Sequence, residues 1–263
     1  MSRIYVITGA ASGIGKSAKE ILEQAGNKVV GVDIHDSDVI GDLSSPEGRK
    51  LATAKVLELA GGKVDAVIAN AGSALSEAKT VSINFFGSTA FVESLHDALS
   101  KSSAPRVAFT SSMASLMPND PQLVELMLSG DESASLVRAE ELVKTGGGAE
   151  ALIYGSTKRA MSRWIRRECI KSKWAGMGIP MNAVGPGIVK TPMVAEMIAT
   201  QEGRDALAQV VPMPLNGYLE PSDVAQLLVW LTSPENNHAT GQTIYIDGGS
   251  DAVLRGDNIW DLK

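Results

Sequence analysis

Tyr154 and Lys158, in the run Tyr154-Gly155-Ser156-Thr157-Lys158, are separated by the interval that brings two side chains onto one face of a helix. A phenol titrates near 10 in water, so using it as an acid or base near neutrality needs a shift of about 2 to 3 units, worth ~3 to 4 kcal/mol. A neighbouring ammonium has the right sign to stabilise a tyrosinate. Ser112, just beyond a predicted strand from Val107 to Thr110, can hydrogen-bond a substrate oxygen without changing its own charge. The chemistry these three residues suggest is proton transfer to or from a carbon–oxygen unit. Tyr-x-x-x-Lys is also a common surface pair on helices, so the remaining elements must decide whether the residues meet.

A second constellation lies near the N-terminus. Thr8-Gly9-Ala10-Ala11-Ser12-Gly13-Ile14-Gly15 follows the apolar run Ile4-Tyr5-Val6-Ile7, and a helical pattern begins inside it. Glycines there let the backbone turn tightly and approach a pyrophosphate, which meets the free N–H groups and positive dipole end of the helix. A second strand, Val29 to Val32, ends at Asp33, about twenty residues past the glycines. A carboxylate at that point accepts from the adenosine ribose hydroxyls and repels a ribose phosphate by ~1 to 4 kcal/mol at about 4 Å. NAD is therefore favoured over NADP. Asp33 as a plain solvated strand-end acid is the alternative. Asp42-Leu43 and Asn70-Ala71-Gly72 fall at further strand ends and either wall the adenine or form ordinary turns.

These residues need a frame, and the apolar pattern supplies one. Helices are predicted from Ile14 to Ala25, from Pro46 (capped by Ser45) to Leu59, from Thr80 to Leu99, from Tyr154 to Trp174 and from Val224 to Leu231. Between them lie strands at Val64 to Ala69, Val107 to Thr110, Met181 to Val184 and Thr243 to Ile246. The alternation implies an α/β Rossmann fold: a doubly wound parallel sheet covered on both faces, with its crevice beyond the C-terminal strand ends. About forty residues between Ser112 and Tyr154 carry no strand signal. Two short helices, Pro121 to Ser129 and Ser133 to Lys144, are predicted to fill an insertion at about 118–150. One domain over 1–263 is expected.

Composition narrows the function classes. Of 263 residues, 44% are hydrophobic and 21% charged, as in a globular chain rather than a disordered or fibrous one. With 24 Lys+Arg against 30 Asp+Glu, the charge of −6 offers no field toward phosphate backbones or anionic lipid, so neither nucleic acid nor membrane is an expected partner. Cys169 has no disulfide partner, and three scattered histidines give no zinc spacing, so no metal is expected and a reducing cytoplasm fits. The apolar run before Gly9 is too short for a signal segment, and none reaches the ~18 residues of a membrane span.

Taken together, Thr8-Gly9-x-x-x-Gly13-x-Gly15, Asn70-Ala71-Gly72, Ser112, Tyr154-x-x-x-Lys158 and Pro186-Gly187 resemble, in content and order, the short-chain dehydrogenase/reductase family, from Ile4 to about Gly249. The resemblance implies hydride transfer between nicotinamide and an alcohol or carbonyl. By that resemblance Tyr154 is the proton donor or acceptor, Lys158 lowers its pKa and holds the nicotinamide ribose, Ser112 orients the carbonyl, and Asn84 supports the proton relay. It likewise puts Gly9, Ser12, Gly13, Ile14 and Gly15 on the pyrophosphate, and Pro186, Gly187, Val189 and Thr191 at the carboxamide. Ala69 stands where the family usually has a first Asn, the Gly72 to Asn84 interval is short, and the Ser112 to Tyr154 interval is long. These departures are similar to the bacterial 3α-hydroxysteroid dehydrogenase/carbonyl reductase subgroup. The insertion lies where most members form their dimer contact, so a homo-oligomer with an altered interface is expected.

Met113, Met117, Met193 and Met197 flank Ser112 and the segment after Thr191, where thioethers suit a bulky apolar ketone or simply fill core space. An apolar carbonyl or alcohol, steroid or aryl, is the expected substrate, with a sugar or polyol dehydrogenase or a non-catalytic dinucleotide sensor as the alternatives. Lys190 reads as solvated. Arg159, Arg163, Arg166 and Lys173 form either a phosphate-binding face or a charged outer face. Cys169 reads as a packing residue, and Trp260 as a tail residue that covers the pocket, reaches a neighbour or frays.

Overall fold

The computed structural model describes residues 2–260. β1 (Ile4–Thr8), β2 (Lys28–Asp33), β3 (Val39–Ile40), β4 (Ala66–Ala69), β5 (Arg106–Thr110), β6 (Met181–Pro186) and β7 (Thr243–Ile246) form one parallel sheet in the order β3-β2-β1-β4-β5-β6-β7. Alternation along each strand feeds two apolar clusters. Tyr5 and Ile7 of β1 enter the one containing Val184 and Leu228, whereas Val6 joins Val30, Val67 and Phe109 on the opposite face. Helices join the parallel neighbours of the sheet, except that the short loop 34–38 joins β2 to β3. The order reverses at β1, which opens a crevice at the C-terminal strand ends.

The helices are α1 (Gly13–Gln24), α2 (Pro46–Ala60), α3 (Lys79–Val81), α4 (Gly87–Ser94), α5 (His96–Leu99), α6 (Pro121–Ser129), α7 (Glu132–Thr145), α8 (Leu152–Glu168), α9 (Ala195–Ala199), α10 (Gln201–Val210), α11 (Pro221–Leu231) and α12 (Ser250–Arg255). Ala18 and Leu22 of α1 share one cluster with Val224, Leu228 and Leu231 of α11. Residues of α2, α4, α6, α7 and α8 share the other. Among the described residues no helix is long and apolar enough to cross a membrane.

Three elements differ from the expected ones. The helix predicted from Thr80 to Leu99 is interrupted: a π-helical turn, Ser82–Phe86, separates α3 from α4, and a further kink precedes α5. The turn carries Asn84, whose side chain is tied to Ser73 outside the helix. The helix expected to run from Tyr154 to Trp174 spans α8 instead, because the chain leaves it to bury Trp174 completely. The strand expected to end at Asp42-Leu43 is only the pair Val39–Ile40.

The insertion is built to grip α8. Asp120 caps α6 by accepting from Leu123 N at 2.7 Å, Gly130 ends α6 with φ +82°, and Asp131 caps α7 by accepting from Ala134 N at 2.9 Å. Arg138 of α7 donates to Asp120 at 2.8 Å and holds that carboxyl below its usual range. Asp120 N then donates to Ser156 Oγ at 2.9 Å. At Gly155 a Cβ would lie 2.8 Å from Pro118 O, so only glycine lets the insertion approach the helix this closely.

Candidate active site

A cavity of about 710 Å³ lies beyond the C-terminal strand ends. Its far end is made by backbone. Gly9 and Gly13 have φ of +69° and +52°, and a Cβ at Gly15 would fall 2.1 Å from Gly9 O. Gly15 therefore lies behind the turn, letting α1 pack against β1, while Gly9, Ser12, Gly13 and Ile14 line the wall. Thr8 Oγ1 accepts from Asn70 N and Ala71 N, each at 3.0 Å, and Asn70 Nδ2 donates to Gly9 O at 3.3 Å. The loops after β1 and β4 are thus one braced unit. Ser12 makes no side-chain cap bond, and among the described residues no side chain accepts from the first-turn N–H groups of α1. Uncapped donors at the positive end of a helix beside a cavity of this volume fit the pyrophosphate of a dinucleotide.

Asp33 lines the same end, and its carboxylate does more than expected: Oδ2 accepts from Ala11 N at 2.9 Å and Oδ1 from Ile34 N at 2.7 Å. It braces the glycine-rich turn as well as facing the cavity. Asp42 accepts from Ser44 N at 2.9 Å, is 3.5 Å from Lys79 Nζ, and is held below the ordinary carboxylate range chiefly by hydrogen bonds from Ser44. Leu43, Asn70, Ala71 and Gly72 continue the wall.

Ser112, Tyr154 and Lys158 converge at the other end, with Pro186, Gly187, Val189, Thr191 and Met193 opposite. Lys158 is 3% exposed; Nζ donates to Thr110 O at 2.9 Å and stands 5.7 Å from the centre of the Tyr154 ring. Burial pushes the amine down to about 8. Burial also pushes the Tyr154 phenol up, against a smaller opposing effect of the Ser112 hydroxyl. The ammonium lies over the ring and is engaged by a carbonyl, and loss of water favours the neutral form of both groups.

The predicted set does not all reach the cavity. Asn84 is fully buried outside its wall: Oδ1 accepts from Ser73 N at 2.8 Å, and Nδ2 donates to Ser73 O at 2.9 Å and Thr157 Oγ1 at 3.1 Å. Among the described residues no hydrogen bond joins it to Lys158. Its side chain ties the loop after β4 to α8, and its Oδ1 flanks Gly72 on the same side as Lys158 Nζ, 3.3 and 3.6 Å from where a Cβ would stand. Met113 is 2% exposed and fills core, because the turn after Ser112 folds inward, and Met197 also stands outside the wall on α9. Of the three methionines read as substrate contacts, only Met193 lines the cavity. Lys190 pairs with Glu220 at 2.5 Å, and Lys173 pairs with Glu93 and Glu168. Trp260 is exposed outside the cavity wall.

Reading the sequence missed Thr110, whose carbonyl holds Lys158 and whose hydroxyl donates to Asn70 Oδ1 at 2.9 Å. Its place as the last residue of β5, two before Ser112, was the available signal. Lys79, Ile83 and His35 also line the cavity, with no motif to mark them.

A single parallel sheet, an uncapped helix start behind a glycine-rich turn and a Tyr-x-x-x-Lys pair at the same crevice define a nucleotide-binding oxidoreductase scaffold. A family model described as enoyl-(acyl carrier protein) reductase matches residues 9–251, and the chain belongs to the short-chain dehydrogenase/reductase family. It is 34% identical over 257 residues to the 3-alpha-hydroxysteroid dehydrogenase/carbonyl reductase of Comamonas testosteroni, covering 96% of this chain and 98% of that one. The crystal structure of the 3-alpha-hydroxysteroid dehydrogenase from Pseudomonas sp. B-0831, complexed with NADH, superposes with a TM-score of 0.86 at 35% identity, covering 96% and 98% of the two chains. Aldohexose dehydrogenase of Thermoplasma acidophilum, at 19% identity and a TM-score of 0.73, shares the fold alone.

Proposed function

We propose that the chain is an NAD(H)-dependent oxidoreductase that interconverts a secondary alcohol and a ketone, with a bulky apolar steroid or aryl carbonyl as substrate. The observation that carries this reading is the convergence of Ser112, Tyr154 and Lys158 on one end of a cavity whose other end is the uncapped start of α1. Gly9, Ser12, Gly13 and Ile14 would hold the pyrophosphate, Asp33 the ribose hydroxyls, and Pro186, Gly187, Val189 and Thr191 the carboxamide. When bound, the nicotinamide supplies or accepts the hydride.

The residues of the chain handle the proton. Ser112 Oγ points a substrate oxygen toward the Tyr154 hydroxyl, which gives its proton during ketone reduction. Burial keeps that phenol protonated, so the reducing direction finds its donor ready. Oxidation needs the tyrosinate and is favoured as pH rises. Lys158, held by Thr110 O, orients a ribose and stabilises negative charge on the phenol when it is itself protonated.

The relatives named for hydroxysteroid substrates support the apolar reading, as does Met193, a half-exposed thioether at the cavity rim. NADH and NADPH consumption, followed by nicotinamide absorbance across steroid, aryl, aliphatic and sugar ketones, tests it. Faster turnover of sugars, or of NADPH over NADH, overturns the substrate or the cofactor assignment. A cytoplasmic homo-oligomer completes the proposal. Its contact avoids the face of α8 that α6 and α7 cover, and a solution mass equal to one chain would contradict it.

A further inference from the structure

Beyond Lys158, the next turns of α8 border a second cavity of about 500 Å³, separate from the crevice. Arg159, Arg163 and Arg166 of α8 and Arg255 of α12 line it, and its wall contains no carboxylate residue. In a chain of net charge −6 such a concentration of positive charge runs against the overall balance. Part of it is compensated from outside the wall: Arg163 pairs with Glu125 at 2.6 Å, and Arg255 pairs with Asp251. Arg159 donates only to the main-chain oxygens of Ser115 and Met117, at 2.7 and 3.4 Å, and Arg166 only to Gly241 O at 3.3 Å. Among the described residues neither has a carboxylate partner.

Neutral hydroxyls complete the wall. Ser162 Oγ lies 3.0 Å from Ser111 Oγ, and the Tyr245 hydroxyl 2.9 Å from Ser115 Oγ. Arg255 also stands over the Tyr245 ring, 5.9 Å from its centre. Planar guanidinium forks with spare N–H donors match the paired oxygens of a phosphate. The site is more open than the main crevice, and beside a bound phosphate its mouth leaves room for an organic body. We propose that this cavity binds a small phosphate ester, its phosphate held by Arg159 and Arg166 and its organic body lying against Tyr245.

The test is calorimetric titration of the whole protein at low salt with glucose 6-phosphate, inorganic phosphate and glucose. Each is run with and without NADH, which competes for any phosphate bound at the glycine-rich turn. Binding of glucose 6-phosphate more tightly than phosphate, absence of binding by glucose, and persistence with NADH are expected. The double variant Arg159→Gln/Arg166→Gln should weaken binding by roughly tenfold or more, and the exposed single variant Arg166→Gln, which has little to lose in folding, by a smaller factor. No binding of either phosphate up to about 10 mM, loss of binding with NADH, or wild-type affinity in both variants overturns the proposal. Equal affinity for the ester and inorganic phosphate removes the organic body from it. If Arg166→Gln instead lowers the mass in solution, the cavity is a subunit contact and the proposal fails.

Discussion

The two ends of the main cavity are built on opposite principles. At the dinucleotide end every loop is tied to its neighbours: Asp33 to Ala11, Thr8 to Asn70 and Ala71, Asn70 to Gly9 and Thr110. Past Met193 at the other end the chain runs into α9 and α10, which bury none of their residues, and Met193, Met197 and Val210 are each more than 40% exposed. The contrast shows where each kind of specificity resides. A ligand read through main-chain donors needs positions fixed before it arrives, whereas a bulky apolar ligand is served by a rim with few contacts to break.

That comparison can be broken at several points. The largest effect is expected from Tyr154→Phe, which removes the proton donor and should lower kcat by about 10² to 10⁴ with NADH affinity nearly unchanged, as read by turnover and by NADH fluorescence titration. Wild-type activity in this variant would remove Tyr154 from the reaction. Lys158→Met should lower kcat by a smaller factor yet raise stability at pH 7 by up to about 3 kcal/mol, less the bond to Thr110 O, in chemical denaturation. The sign follows from a folded pKa pushed down to about 8 from 10.5. Between those values the unfolded chain binds more protons, so the wild type gains stability as pH rises through this window and the variant lacks the gain.

Gly15→Ala places a Cβ against Gly9 O and should cost roughly 1 to 3 kcal/mol and weaken dinucleotide binding, both measurable by thermal melts with and without NADH. Asp33→Ala should shift the NADP to NAD preference by about tenfold and loosen the glycine-rich turn, since it also removes the acceptor for Ala11 N. Met193→Ala is expected to change KM for an apolar ketone only a few-fold, leaving kcat intact. An effect there as large as that at Gly15 would show that the rim is as fixed as the far end.

Much of the fold was legible in residue pattern. The runs at Ile4, Val29, Val107, Met181 and Thr243 became strands within a few residues of the predicted bounds, and Pro121 to Ser129 became α6. The motif residues around Gly9, Asn70, Ser112 and Tyr154 were legible for the same reason: their spacing is short and their geometry local. The side-chain partners of Asn84 and the burial of Met113 were not legible, because they depend on neighbours distant in sequence, Thr157 for one and the packed core for the other. The π-helical turn at Ser82–Phe86 has no periodic signature of its own.

The amino-acid order by itself determined the alternating strands and helices, the glycine-rich turn and the four-residue step from Tyr154 to Lys158, since each is set by steric or periodic rules within a few residues. Only the tertiary structure decided the direction in which that pair is shifted. Burial in the packed crevice raised the phenol and lowered the amine, because the loss of water acts through everything surrounding the two groups, whatever their spacing along the chain.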